Sequence, residues 1–148
     1  MADPSSADQY ERNAAALIAK LVELDKNYRS VLAGCRRREI VVNHNAFNYL
    51  GLRYGFIIHS LLGKSPDVES SPARLAELAT LAKQKKLPAV FTEPLGSKAA
   101  IETLAREVGV DIRTLNPIEG LTEEEIKLGE NYFSLMEKNL KELKAAMD

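Results

Sequence analysis

Apolar positions along this chain follow two alternating periods. Ile40-Val41-Val42, Phe56-Ile57-Ile58 and Ala89-Val90-Phe91 are short runs rich in β-branched and aromatic residues. Each precedes a stretch with apolar residues every three or four positions. The first pattern fits a buried strand and the second an amphipathic helix. Asp111-Ile112-Arg113-Thr114-Leu115 alternates polar with apolar residues and reads as a fourth, less buried strand.

The helical stretches carry their own boundaries. Asp3-Pro4 opens the first as an N-cap followed by proline. Tyr10, Ala14, Leu17, Leu21, Leu24, Tyr28 and Val31 then form one stripe, and Gly34 stops it. A helix of about 30 residues is roughly 45 Å long, more than a small domain needs, so part of it should project or brace something else. Phe47, Leu50 and Tyr54 predict a short helix closed by Gly55. Gly63 to Ser71 reads as a loop. Ser71-Pro72 caps a helix over 73–86, and Ser97 starts another that ends at Gly109. Thr122 and Glu125 form a capping box for a last helix, with Ile126, Phe133, Met136, Leu140, Leu143 and Met147 facing inward. Strand alternating with helix predicts an α/β fold. The expectation is a four-stranded parallel sheet with helices on both faces, a long N-terminal helix and a long C-terminal helix.

Composition narrows the function. The chain has 148 residues, 45% hydrophobic and 28% charged, with a formal net charge of -1. That suits one soluble domain and no nucleic-acid partner, since binding DNA or RNA calls for a basic stripe. Arg36-Arg37-Arg38 is the one dense basic cluster, and it reads as a solvated lead into the first strand. Cys35 is the single cysteine, which leaves neither an internal disulfide nor a zinc knuckle. No segment approaches the ~18 apolar residues of a membrane span. Residues 1–6 lack the basic start and apolar core of a signal peptide, so on the residues alone the chain is expected in the cytoplasm.

Candidate chemistry gathers at the ends of strands. No GxGxxG, Walker loop, GxSxG or His-Glu-x-x-His pattern is present. The polar groups that remain are His44, His59, Glu93 and the turn holding Asn116 and Glu119. Ligands of open α/β sheets collect beyond the carboxyl ends of the strands. His44 lies where the first strand hands over to a helix, so it either caps that helix or reaches a ligand. His59 precedes Leu61-Leu62 and reads as a packed or surface residue. Imidazole and carboxylate together suit zinc, but structural zinc sites take four protein ligands and this chain offers two good ones.

Four blocks resemble a known family, in the family's order. Val42-Asn43-His44-Asn45-Ala46-Phe47-Asn48-Tyr49-Leu50 is similar to the strand-His-x-Ala-Phe-x-Tyr motif of the zinc and manganese solute receptors of bacterial ABC importers. Ser65 to Leu78 resembles the loop and helix after the second strand of the receptor's carboxyl lobe. Val90-Phe91-Thr92-Glu93-Pro94 resembles its third strand, and Leu115 to Glu125 its closing turn. The start, Asp3 to Tyr10, looks like the middle of the helix joining the receptor's two lobes.

The resemblance implies two α/β lobes joined by a rigid helix, with the metal held between them and two histidines supplied by the amino lobe. It implies residues 1–34 as part of the linking helix and 35–148 as the carboxyl-terminal metal-binding lobe. His44 is then the first carboxyl-lobe ligand. The second is Glu119 or, as the lesser alternative, Asn116, where many relatives carry Asp. The expected cargo is Zn2+, with Mn2+ as the alternative, at a site this chain holds only in part. The expected partners are the absent amino-terminal lobe and an ABC permease. The parent protein is expected in the periplasm, or anchored to the membrane outside the cytoplasm.

Two other readings compete. One is a free-standing α/β interaction module without metal function, whose long first helix docks a partner; separately, the lobe face left exposed by the absent amino-terminal lobe is an expected route to dimerisation. The other is an enzyme using His44 and Glu93 as acid and base. It lacks a nucleophile and a substrate motif, so no enzyme is expected. The metal reading requires His44 and Glu119 on one edge of the sheet, both reachable from solvent, with His59 elsewhere.

Overall fold

The computed structural model describes residues 3–62 and 71–148. The loop expected at Gly63–Ser71 therefore lies, apart from Ser71, outside the described residues, together with the start of the second family block. Four strands form: β1 (Glu39–Val42), β2 (Ile57–Ser60), β3 (Ala89–Thr92) and β4 (Asp111–Thr114). All pair in parallel, in the order β2-β1-β3-β4. Six α-helices surround them: α1 (Ala7–Ala33), α2 (Asn48–Tyr54), α3 (Pro72–Lys85), α4 (Ala99–Val108), α5 (Glu123–Lys127) and α6 (Tyr132–Met147).

The two-residue period of the central strands sorts the core into two layers. Ile40, Val42, Ala89 and Phe91 face α1, α2 and α6, where Leu24, Tyr28, Leu32, Leu143 and Met147 are buried with them. Val41 and Val90 face α3 and α4 on the other side, against Leu78, Ala82, Ile101 and Leu104. β2 is an edge strand, and Ile57 is largely exposed. A second fully buried strand was expected there. Only Phe56, just before it, goes into the core.

Two expectations need correction. The last helix is not continuous. Gly129 takes a left-handed φ of 69° and ends α5. Asn131 then starts α6 by accepting from the backbone N–H groups of Phe133 and Ser134. The apolar period continues across the break, which is why periodicity alone could not see it. The second correction concerns the arginine run. Arg36 Nε donates to Asp148 O at 2.8 Å, Arg37 Nε to Lys86 O at 3.3 Å, and Arg38 to Leu32 O at 2.8 Å and Ala33 O at 3.0 Å. Helix C-termini leave carbonyls without intrahelical partners, and the three guanidinium groups satisfy them on α6, α3 and α1.

The first helix divides into two parts. Leu24, Tyr28 and Leu32 are buried, whereas Tyr10, Leu17, Ile18, Leu21 and Val22 stay exposed on the amino-terminal part. The buried part is clasped to α2. Asp25 accepts from Arg53 Nε and Nη2 at 3.0 Å each, from Arg29 Nε at 3.0 Å and from Tyr54 Oη at 3.1 Å. The Tyr28 and Tyr54 rings stack at 4.9 Å, and the Tyr28 hydroxyl donates to Met136 O at 2.6 Å. Across the sheet, Asn139 of α6 holds the end of β4: its Oδ1 accepts from Asn116 N and its Nδ2 donates to Asn116 O, both at 2.8 Å.

Two outcomes follow for stability. Asn139→Ala leaves a buried backbone donor and acceptor unpaired, so chemical denaturation should show a loss of about 2 kcal/mol or more. The guanidinium groups of Arg53 and then Arg29 hold the Asp25 carboxyl well below the usual carboxylate range. A depressed folded pKa contributes stability above the unfolded value of about 3.9 and loses it as pH falls below that value. Thermal unfolding across pH should show this acid limb flattened in Asp25→Asn.

Candidate metal site

The strand order locates the site. From β1 the chain winds outward to β2, then crosses back to β3 and β4 on the other side. The switch point therefore lies between the carboxyl ends of β1 and β3, where open α/β sheets leave a crevice. His44 follows β1 by two residues and Glu93 follows β3 by one. The sheet brings to one place two residues 49 positions apart.

His44 is held from both of its ends. Its Nδ1 lies 2.5 Å from Glu93 Oε1, and its backbone N–H donates to the same oxygen at 3.3 Å. Asn43 Nδ2 donates to Ser97 O at 3.0 Å, tying the loop after β1 to the loop after β3. His44 is 3% exposed and Glu93 5%. The expectation that His44 would be freely reachable is therefore wrong, because Glu93 draws the ring into the crevice. A proton on Nδ1, shared with the carboxylate, leaves the Nε2 lone pair as the free face of the ring.

Glu119 comes to that face. Its Oε1 lies 3.7 Å from His44 Nε2, and its side chain is 63% exposed. Two ligand atoms bound to one tetrahedral zinc at about 2.0–2.2 Å sit roughly 3.3–3.5 Å apart. The observed pair thus fits an ion after a small movement of the exposed carboxylate. A cleft of about 80 Å³ adjoins it, lined by Glu93, Pro94, Leu95, Gly96, Asn116, Pro117 and Glu119. A cavity of about 690 Å³ lies between β4 and α6 and is lined by none of His44, Glu93 or Glu119. Among the described residues, no group of three or more His, Cys, Asp or Glu side chains is placed to hold a metal.

Asn116 is used otherwise. Its Oδ1 accepts from Ile118 N at 2.7 Å and its Nδ2 donates to Glu125 Oε1 at 3.0 Å. Both ends of the amide are taken up by the turn. Ile118 has a φ of +62°, an outlying conformation for a β-branched residue and one that costs of order 1–3 kcal/mol. His59 lies apart: its Nε2 pairs with Glu39 at 2.9 Å, and Lys85 reaches the same carboxylate at 2.6 Å. Lys85 and then His59 hold Glu39 below the usual carboxylate range.

Sequence reasoning marked Glu93 as a strand-end carboxylate without pairing it to His44 through Nδ1. It missed Asn139, although a signal was present. Asn139 lies three residues after Met136 and four before Leu143, a polar residue on the inward stripe of α6.

Comparison with known proteins places the chain in a family. The family model described as "Zinc-uptake complex component A periplasmic" matches residues 1–146. The zinc-binding lipoprotein AdcA of Streptococcus pneumoniae is 48% identical over 145 residues, covering 98% of this chain and 29% of that protein. The high-affinity zinc uptake system protein ZnuA of Bacillus subtilis is 39% identical, with 98% of this chain and 46% of that protein covered. The crystal structure of the Zn(II)-bound ZnuA-like domain of S. pneumoniae AdcA superposes with a TM-score of 0.80 at 46% identity, covering 98% of this chain and 54% of that one. The chain thus spans between 29% and 46% of the length of these curated relatives. With the matched region running across both layers of the fold and the His44–Glu119 edge, this chain belongs to the family of periplasmic zinc-uptake complex component A proteins.

Proposed function

We propose that this chain is the carboxyl-terminal lobe of a zinc receptor serving an ABC importer, and that His44 and Glu119 are its contribution to the zinc site. The observation that carries this reading is the free Nε2 of a buried histidine facing a carboxylate at 3.7 Å, at the sheet's switch point. Zinc is the cargo here, held for delivery and not for chemistry. Imidazole nitrogen with carboxylate oxygen suits zinc, and a site richer in carboxylates would favour manganese.

The chain's own residues divide the work. Glu93 binds the Nδ1 proton, fixes the ring's tautomer and orientation, and raises the basicity of Nε2, the arrangement seen in carboxylate–histidine–zinc sites. His44 is the rigid donor, immobile because it is buried. Glu119 is the mobile donor, exposed and able to close on the ion. Asn116 is less suited as a ligand because its amide is already spent on Ile118 and Glu125. Two donors do not complete a zinc shell, and this chain covers only 29% and 46% of the curated relatives' lengths. The remaining ligands are therefore proposed to come from an amino-terminal lobe of the same receptor. Residues 1–34 are its linking helix and 35–148 the lobe itself. The exposed stripe of Tyr10, Leu17, Ile18 and Val22 would brace that first lobe. Delivery to a membrane permease outside the cytoplasm is part of the same proposal. So is the absence of an enzymatic role.

Two measurements test the site. Calorimetric titration of this chain with zinc at neutral pH should show weak binding that His44→Ala abolishes and His59→Ala leaves intact. Binding should weaken on acidification, since the ligands must be deprotonated. Tight one-to-one binding by the monomer would contradict the two-donor reading, and tight binding by a dimer would mean that two lobes pool their ligands. Glu93→Ala should lower zinc affinity by about 10–100-fold through loss of ring orientation. Glu93→Gln should lose less, because its amide oxygen still accepts from Nδ1–H.

A further inference from the structure

Glu119 poses a physical problem. Its side chain is 63% exposed, yet its carboxylate is aimed at a buried ring nitrogen 3.7 Å away. Exposed glutamates have many rotamers and no reason to hold one direction. Packing of its own side chain does not supply the aim, so the backbone beneath it must.

That backbone is strained at one residue. Ile118 precedes Glu119 and has φ +62°, where its branched side chain is disfavoured. Strain of this kind persists only when the surroundings over-determine it, and it gathers at ligand clamps. Pro117 on one side has a fixed φ and no N–H to offer. The groups that hold the turn converge on Asn116. Its Oδ1 accepts from Ile118 N at 2.7 Å, inside the strained turn. Its Nδ2 donates to Glu125 Oε1 at 3.0 Å, and Glu125 Oε2 accepts from Thr122 N at 2.7 Å, on the far side of the turn. Its backbone N–H and carbonyl are locked to Asn139 on α6. Asn116 is 7% exposed and so holds both sides of the arch from within the fold.

We infer that Asn116 is a positioning residue that latches the Ile118 turn in its strained form and thereby aims Glu119 at His44. This rests on the zinc-site reading above and adds to it how one ligand is set before the ion arrives. Without the latch, Ile118 relaxes to a negative φ. The peptide plane that follows rotates, and the Cα–Cβ bond of Glu119 swings away from His44. Asn116 then matters to zinc only through Glu119, and only while residue 118 bears a side chain that resists positive φ. Neither condition holds if Asn116 is itself a ligand.

The test uses this 148-residue chain and zinc alone, with binding followed by calorimetric titration. Asn116→Ala should weaken zinc binding by about tenfold, the scale of a released strained conformation. In a Glu119→Ala background the same change should cost nothing further, because coupled residues are non-additive. Asn116→Ala with Ile118→Gly should recover most of the loss, since glycine takes positive φ without strain. A zinc-free measurement on the unaltered chain guards against a variant that does not fold. A strong intraresidue amide-to-Hα NOE at Ile118, the mark of positive φ, should already be present before zinc is added.

Unchanged binding in Asn116→Ala, a further loss in the Glu119→Ala background, or no recovery with glycine would each overturn the latch. So would an Ile118 that turns positive only when zinc binds. His44→Ala, titrated alongside, separates the two levels. If it loses the zinc response while Asn116→Ala does not, the latch alone is wrong. If it keeps the response, the site beneath the latch is wrong as well.

Discussion

The Glu93 carboxylate reaches Nδ1 of His44 across the gap between β1 and β3, and both groups are almost wholly out of solvent. Neither would be tolerable there alone. A buried carboxylate without a partner is strongly disfavoured, and an unpaired buried ring nitrogen costs about 1–3 kcal/mol. Together they satisfy each other and leave one nitrogen of the ring uncommitted. The strand order β2-β1-β3-β4 makes this meeting possible, because it puts the ends of β1 and β3 side by side. A parallel sheet thus turns two distant polar residues into one oriented donor.

The surrounding fold stiffens that donor. α1 and α6 cover one face of the sheet, α3 and α4 the other, and the Asp25 clasp ties α1 to the helix that follows the His44 loop. Three arginines close the carboxyl ends of α1, α3 and α6. Glu119 stands in contrast, on an exposed turn between β4 and the short α5. On the proposed reading, a fixed nitrogen and an adjustable oxygen suit an ion that is captured and later released. The same reading calls for further ligands from elsewhere, because two donors leave half of a zinc shell open.

Much of this was legible in the sequence. Period-two and period-four patterns placed all four strands within a residue or two, and the capping signals at Asp3, Ser71 and Thr122 are all in use. The pairing of His44 with Glu119 was reachable because both follow strand ends. What stayed hidden depended on three-dimensional neighbours. Arg36-Arg37-Arg38 looked solvated because the helix ends it caps are far away in sequence. The break at Gly129 was masked by an apolar period that runs through it. The positive φ of Ile118 has no signal in residue type, since isoleucine is among the residues least suited to it. The burial of His44 followed from Glu93, a partner 49 positions away that only the sheet brings near.

The central claim is that Glu93 holds the Nδ1 proton so that Nε2 of His44 faces the ion. Long-range nitrogen–proton NMR of the His44 ring, taken before and after zinc is added, tests it most directly. The expected result is a neutral ring protonated on Nδ1 in the free chain, with zinc shifting the Nε2 resonance while the Nδ1 proton stays in place. A ring protonated on Nε2, or zinc acting at Nδ1, would contradict it.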